Sequence, residues 1–236
     1  MESFSGQLQQ HGLLLTEVQN RQFEQYFTFL IEANKKMNLT AIKEREAVFM
    51  KHFYDSLTPS FYADFSGGQS LCDVGSGAGF PGIPLKIVFP NLKLTIVDSL
   101  RKRIDFLQEL TERLALQDVS LYHDRAETFA KRDEMREQFQ WVTARAVAPL
   151  PVLSEYCLPL VRIGGTFVAM KGRPDEAEFD RGRAAIAQLG GKLSQTITFD
   201  LPELSGERTL LFVEKVKKTS KAYPRRAGIP ARDPLK

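Results

Sequence analysis

The stretch with most chemical content is Leu71-Cys72-Asp73-Val74-Gly75-Ser76-Gly77-Ala78-Gly79-Phe80-Pro81-Gly82, which follows an apolar run and precedes another. Glycines so closely spaced let backbone amides approach a ligand, and a loop between a strand and a helix lies at the carboxyl edge of an open sheet, where ligands bind. A second fixed point lies 23 residues after Gly75, where Leu94-Thr95-Ile96-Val97 ends in Asp98. A carboxylate at that strand end can accept hydrogen bonds from the two hydroxyls of a ribose. Gly75, Gly77 and Asp98 therefore predict a nucleoside cofactor.

The spacing discriminates among such cofactors. A dinucleotide fingerprint reads G-x-G-x-x-G, whereas here the third glycine falls one position early, at Gly79, and Phe80 stands in its place. Asp73, just ahead of the first glycine, puts a carboxylate where a pyrophosphate would approach and where an ammonium would be attracted. No Gly-Lys-Ser/Thr follows, so the loop is not a P-loop. S-adenosylmethionine fits these constraints better than NAD.

Elements able to position these residues can be read from periodicity. Thr16 with Gln19 can form a capping box, and Phe23, Tyr26, Phe27, Leu30 and Ile31 then recur at helical spacing as a core-facing stripe. A second helix is expected over 44–57, with Val48, Phe49, His52, Phe53 and Leu57 on one side and Pro59 beyond its end. After Gly67-Gly68 seven strand-like runs follow: 70–74, 93–97, 119–122, 141–144, 166–170, 193–199 and 209–214. Helical stretches at 83–88, 99–114, 126–130, 147–161 and 175–189 separate the first six; Pro174 precedes the last of these and Gly190-Gly191 closes it. Alternating strands and helices predict a parallel sheet covered on both faces, and the short link from Asp200 to Arg208 forces the last two strands to pair antiparallel. The organisation expected is a helical extension over 1–66, the sheet domain over 67–216 and a basic tail over 217–236.

Composition excludes other classes. At 236 residues with 43% hydrophobic side chains, the chain supports one main core. No apolar run approaches the roughly 20 residues that span a bilayer, and residues 1–10 lack a basic head with an apolar stretch, so a cytoplasmic location is expected. Cys72 and Cys157 lie in apolar stretches and His11, His52 and His123 are scattered, which argues against a disulfide framework, a metal site and a cysteine nucleophile. Net charge is +3, yet Lys215 to Lys236 carries eight basic residues against one acid. Such a tail is either a solvated face or a grip for a polyanion's phosphates, with Arg225 and Arg226 as candidates.

Further motifs narrow the possibilities. Asn38-Leu39-Thr40-Ala41-Ile42, His52 with Asp55-Ser56-Leu57, the loop 73–84, Asp98-Ser99-Leu100 with Lys102-Arg103, Arg145-Ala146-Val147-Ala148, Met170-Lys171-Gly172 and Tyr223-Pro224-Arg225-Arg226-Ala227-Gly228 resemble the bacterial 16S rRNA guanine-N7 methyltransferase family RsmG, formerly GidB, over nearly the whole chain. The resemblance implies a Rossmann-like class I S-adenosylmethionine-dependent methyltransferase fold, α/β with a seven-stranded sheet, an antiparallel C-terminal hairpin and N-terminal helices. It implies methyl transfer to N7 of guanosine 527 of 16S rRNA in the small ribosomal subunit, and some members lack the basic tail. Matched position by position, it assigns cofactor contacts to Gly75, Phe80, Ala126, Glu127 and Arg145, and Arg145 is our candidate for the methionine carboxylate, its alternative role being an ion pair at a strand end.

Guanine N7 carries an in-plane lone pair and no proton, so no general base is needed and no catalytic residue beyond positioning is expected. Arg101, Lys102, Arg103 and Lys171 fall near one sheet edge, where they could hold phosphates or simply be solvated. Asn38 and Asp55 could shape a base pocket, Asn38 equally being a helix stop. The sequence alone leaves three other functions open: a nicotinamide-dependent reductase, an RNA-binding assembly factor with a non-catalytic pocket, and a methyltransferase acting on a small molecule or protein.

Overall fold

A computed structural model describes residues 4–172, 175–202 and 206–236. Its helices are α1 (Phe4–Gln9), α2 (Glu17–Met37), α3 (Arg45–Val48), α4 (Asp55–Leu57), α5 (Gly82–Val88), α6 (Arg101–Arg113), α7 (Ala126–Phe129), α8 (Leu150–Cys157), α9 (Glu176–Gln188) and α10 (Ile229–Arg232). The strands are β1 (Ser70–Val74), β2 (Lys93–Asp98), β3 (Val119–His123), β4 (Phe139–Arg145), β5 (Val161–Lys171), β6 (Gly191–Asp200) and β7 (Glu207–Lys215). They form one sheet in the order β3-β2-β1-β4-β5-β7-β6. The first five strands run parallel, while β7 pairs antiparallel with both β5 and β6. All seven expected strands are present, and the C-terminal hairpin places its second strand inside the sheet.

The chain leaves β1 for β2 on one side and later returns to β4 on the other, which opens a crevice outside the carboxyl ends of β1 and β4. Each face of the sheet has its own core. Phe23, Tyr26, Leu30, Phe53, Leu57, Ile83 and Leu107 bury the N-terminal helices together with α5 and α6 against one face. Val142, Leu153, Cys157, Phe167, Ile186 and Val213 join α8 and α9 to the other. The aromatic stripe of α2 is core: Phe23 and Tyr26 are buried, and Phe27 packs partly buried beside them.

Thr16 caps α2 as expected, accepting from the Gln19 amide while the Gln19 side chain accepts from Thr16 N–H. Asn38 ends the helix in the left-handed conformation at φ +50, its N–H donating to the Asn34 carbonyl, so it acts as a helix stop. The helix expected over 44–57 forms, but Phe49–Tyr54 is a π-helical segment between α3 and α4. Wider turns of this kind recur at functional sites; here it presents the Lys51 and His52 carbonyls to Arg145. The helix before β6 starts at its cap Asp175, whose carboxylate accepts from the Glu178 amide; Pro174 lies outside the described residues.

The C-terminal segment does not project as an arm. Arg136 donates to the carbonyls of Thr219, Ser220 and Tyr223, Arg225 pairs with the fully buried Glu155, and Leu235 is buried in the second core. Lys215 is completely buried on the carbonyls of Leu158 and Val161 and beside Glu137, and burial brings its ammonium down to about 8. Among the described residues no helix is long and apolar enough to cross a membrane.

Candidate functional site

The loop after β1 takes its shape from backbone that only glycine adopts cheaply. Gly75, Gly77 and Gly79 have φ of +71, +63 and +105. Gly75 N–H donates to the Val97 carbonyl at 2.8 Å, tying the loop to β2, and Gly77 N–H donates to Asp98 Oδ2 at 3.0 Å. Asp98 is nearly buried; its Oδ1 accepts from Leu100 N–H and its Oδ2 also from Arg103. Oδ1, with one donor, has lone-pair capacity left for another, while Oδ2 already accepts from two.

Asp73 departs from the expectation that its carboxylate meets a ligand's ammonium. It is fully buried beneath the loop, with Oδ2 accepting from Ser76 hydroxyl at 2.6 Å and Gly82 N–H at 2.7 Å. Burial raises it to about 6, against the opposing pull of those two donors. Its role is to close the loop on itself. The difference arises because strand alternation turns this side chain inward, under the helix that follows.

Three adjoining clefts run along the carboxyl edge. The first, of about 330 Å³, is lined by Gly75, Asp98, Asp124, Ala126, Glu127 and Tyr156, among others. A second, of about 390 Å³, shares Gly75, Asp98, Ser99 and Val147 with it and adds Thr40, His52, Ser76, Gly77, Phe80, Arg103 and Arg145. The third, of about 360 Å³, shares His52, Arg145 and Ala146 with the second and adds Lys51, Asp55, Lys171 and Arg208. Gly75, Gly77, Phe80, Asp98, Ala126, Glu127 and Arg145 are thus brought onto the first two clefts, each of a size that holds small ligands.

The charges in these clefts are sorted. The first gathers three carboxylates, Asp98, Asp124 and Glu127, with Arg125 the one cation among its described lining residues. A pyrophosphate would meet repulsion there, whereas a nucleoside presents hydroxyl and amine donors. The second carries Arg103 and Arg145, suited to a carboxylate. An adenosyl group in the first cleft and an amino-acid end in the second therefore fit the residues present. A nicotinamide dinucleotide does not.

Arg145 is firmly held. Its Nη1 donates to Asp55 Oδ2 at 2.8 Å and to the carbonyls of Lys51 and His52, and its guanidinium lies 4.9 Å from the Phe80 ring centre. The His52 ring stacks on Phe80 with centres 4.6 Å apart, and its Nε2 pairs with Thr40 hydroxyl at 2.7 Å. Burial, reinforced by the Arg145 charge, pushes the imidazole down to about 3, so it is neutral at physiological pH. Asp55 also meets Arg208 at 3.3 Å. The strand-end ion pair considered for Arg145 is therefore present, and the same guanidinium faces two clefts.

The basic residues divide. Arg101, Lys102 and Arg226 are exposed, as is Asn38. Lys171 instead pairs with Glu178 at 2.8 Å and donates to the Ala148 carbonyl, and Arg225 makes its pair with Glu155 and bonds the Asp233 carbonyl. Sequence makes both candidates for phosphate contact; the fold commits both to carboxylates of the same chain. Several lining residues escape sequence-level reasoning. Asp124 follows β3 as Asp98 ends β2, and the same strand-end argument would have found it. Arg208 stands near the start of the antiparallel β7, which brings it back to the carboxyl edge. Ala146, at φ +55, turns the chain so that Val147 lies over Gly75, and an alanine gives no sequence sign of this.

Strand order and clefts together put this chain in the class of S-adenosylmethionine-dependent methyltransferase folds. An S-adenosylmethionine-dependent methyltransferase from Aquifex aeolicus has a similar structure, with a TM-score of 0.55 at 14% identity over 79% of this chain and 98% of that one. TrmN from Thermus thermophilus gives 0.54 at 15% identity over 71% and 53%. The family itself follows from sequence: the model described as rRNA small subunit methyltransferase G (GidB) matches residues 19–209, and the chain belongs to that family. Relatives called ribosomal RNA small subunit methyltransferase G are 56% identical in Geobacillus thermodenitrificans, over 98% of both chains, and 55% identical in Bacillus cereus, over 100% of this chain and 98% of the relative.

Proposed function

We propose that this chain methylates N7 of one guanosine, position 527, in 16S rRNA of the small ribosomal subunit, using S-adenosylmethionine in the cytoplasm. The observation that carries the reading is the continuity of the three clefts: one lined by carboxylates, one by the glycine loop with two arginines, and a third that opens beside the second and shares Arg145 with it. Family membership supports the substrate class. When bound, S-adenosylmethionine supplies a methyl group on a cationic sulfur.

The protein's share is placement. Gly75 and Gly77 let the backbone approach the cofactor, Asp98 and Glu127 accept from its hydroxyl and amine donors, Ala126 lines the same wall, and Arg145 and Arg103 offer the amino-acid carboxylate its counter-charge. Phe80 and neutral His52 form an aromatic floor between the second and third clefts. The third cleft would take the guanine. Because N7 has a lone pair and no proton, no residue need remove one, and the rate comes from holding the nucleophile in line and excluding water. Neutral His52 places no second positive charge beside a purine that becomes cationic. Arg101, Lys102 and Arg226, exposed, are the proposed phosphate contacts, with Asn38 on the same rim.

The deciding experiment incubates the protein with methyl-labelled cofactor and small subunits, or their RNA, from cells lacking the activity, and then maps the modified base. Label at N7 of a single guanosine is expected. Label at another atom or on protein, or binding of RNA without transfer, would favour a different methyltransferase or an assembly factor.

A further inference from the structure

We infer that the C-terminal segment from Thr219 to Leu235 is a wall of the cofactor cleft, and that it holds Glu127 in position through the Gly228 amide. This rests on the assignment of the first cleft to an adenosyl group. Gly228 N–H donates to Glu127 Oε1 at 2.7 Å, and Gly228 and Ala231 line the same cleft as Asp98, Asp124 and Glu127. Gly228 reaches that position at φ +85, where a side chain is strained.

The segment is built to stay in place. Arg225 makes a two-toothed pair with Glu155, a carboxylate with no exposure at all, and its backbone N–H bonds the same group. Arg136 holds three carbonyls upstream, and Thr219 is anchored by its hydroxyl on the Leu189 carbonyl and by its N–H on Glu137. Charged hydrogen bonds of this kind, once buried, fix geometry because leaving either partner unpaired is costly. The anchors lie on both sides of Gly228: Arg225 and the Arg136 contacts upstream, buried Leu235 downstream. The intervening turn is thereby pressed against Glu127.

The consequence for the site is specific. With Oε1 taken by a backbone donor, Oε2 is left to accept from a ligand, and the carboxylate loses rotamer freedom before binding instead of during it. The basic residues of this segment that look like a polyanion arm serve partly as its anchors, Arg225 through its pair with Glu155.

The test is calorimetric titration of the full-length protein with S-adenosylmethionine and S-adenosylhomocysteine. Ala231 is exposed and lines the cleft, so a larger side chain there projects into open space. Ala231→Trp is expected to weaken binding of both at least tenfold with the melting temperature unchanged. Equal affinity in wild type and variant would overturn the inference while leaving the proposed function standing; no binding by the wild type would instead sink that function and the inference with it. Amide exchange on the wild type gives a second readout that needs no variant. Saturating S-adenosylhomocysteine should slow exchange of the Gly228 amide at least tenfold, since a wall that holds ligand is held by it. Unchanged exchange there would count against the wall.

Discussion

A single imidazole carries the largest pH sensitivity in the site. His52 sits against Phe80 and Arg145, and burial first, then the Arg145 charge, takes its folded value to about 3 from about 6.5. The unfolded chain therefore binds this proton more readily, so stability is full above about pH 6.5 and declines as pH falls toward 3. Asp73 acts in the opposite sense: burial lifts it to about 6, so its protonation as pH drops relieves a buried charge and adds stability. The two contributions offset, and the wild-type curve alone would hide both. His52→Phe keeps a ring on Phe80 and removes the titration. Between pH 7 and pH 5 the wild type should lose about 2 kcal/mol more unfolding free energy than this variant, because each pH step below 6.5 costs about 1.36 kcal/mol while only the unfolded chain holds the proton. Parallel curves by urea titration would mean that the imidazole is protonated in the folded protein. The sequence marks His52 as part of a motif but gives no sign of its titration, because its burial and the charge of Arg145, 93 residues away, both come from tertiary structure.

At the level of elements, the glycine loop separates two kinds of requirement. A Cβ on Gly79 would come within 2.6 Å of Tyr26 Oη, 2.8 Å of Ile83 and 3.1 Å of Leu107, whereas one on Gly77 would meet nothing within 4 Å. Gly79→Ala should cost about 3 kcal/mol, from overpacking together with a strained backbone, because Tyr26 is buried and bonded to the Ala78 carbonyl. Gly77→Ala carries only the backbone strain, about 1 kcal/mol, but adds a methyl to the lining of the second cleft, so its loss should appear in cofactor affinity. Denaturation and calorimetry on the same two variants would settle the division; equal stability losses would refute it. The strands are legible in the sequence because apolar runs such as Leu94-Thr95-Ile96-Val97 are set off by turn residues, and the capping box at Thr16 is local. The π-helical turn at Phe49–Tyr54 is not, since it is fixed by what packs against it. Asp73 eludes the sequence for a related reason: spacing shows that a carboxylate lies near the loop, while the direction of the side chain depends on the helix above it. The switch-point cleft can be foreseen from strand order, but the third cleft depends on Arg208 and Asp55 converging from distant parts of the chain.

For the molecule as a whole, a net charge of +3 says little, because the cations that remain available to an external polyanion are those without internal carboxylate partners on the carboxyl edge. Lys215 and Arg225 of the basic C-terminal run answer to Glu137 and Glu155, as Lys171 at the end of β5 answers to Glu178, so the run contributes less to the surface field than its composition suggests. Arg101 and Lys102, in contrast, are exposed at the start of α6, directly after the Asp98 strand end. If RNA crosses that edge, replacing both with alanine should reduce the slope of log affinity against log salt by roughly 1.5, since each phosphate contact contributes about 0.7 to 0.9. Arg162 provides the geometric control. It is exposed too, but it stands at the amino end of β5, on the opposite edge of the sheet, bonded to Gln140. Arg162→Ala should leave the slope unchanged within error. Fluorescence anisotropy of a small-subunit RNA fragment over a range of salt concentrations measures all three proteins. An equal drop for Arg162→Ala would show that binding follows total charge and that the clefts do not define the RNA-facing side.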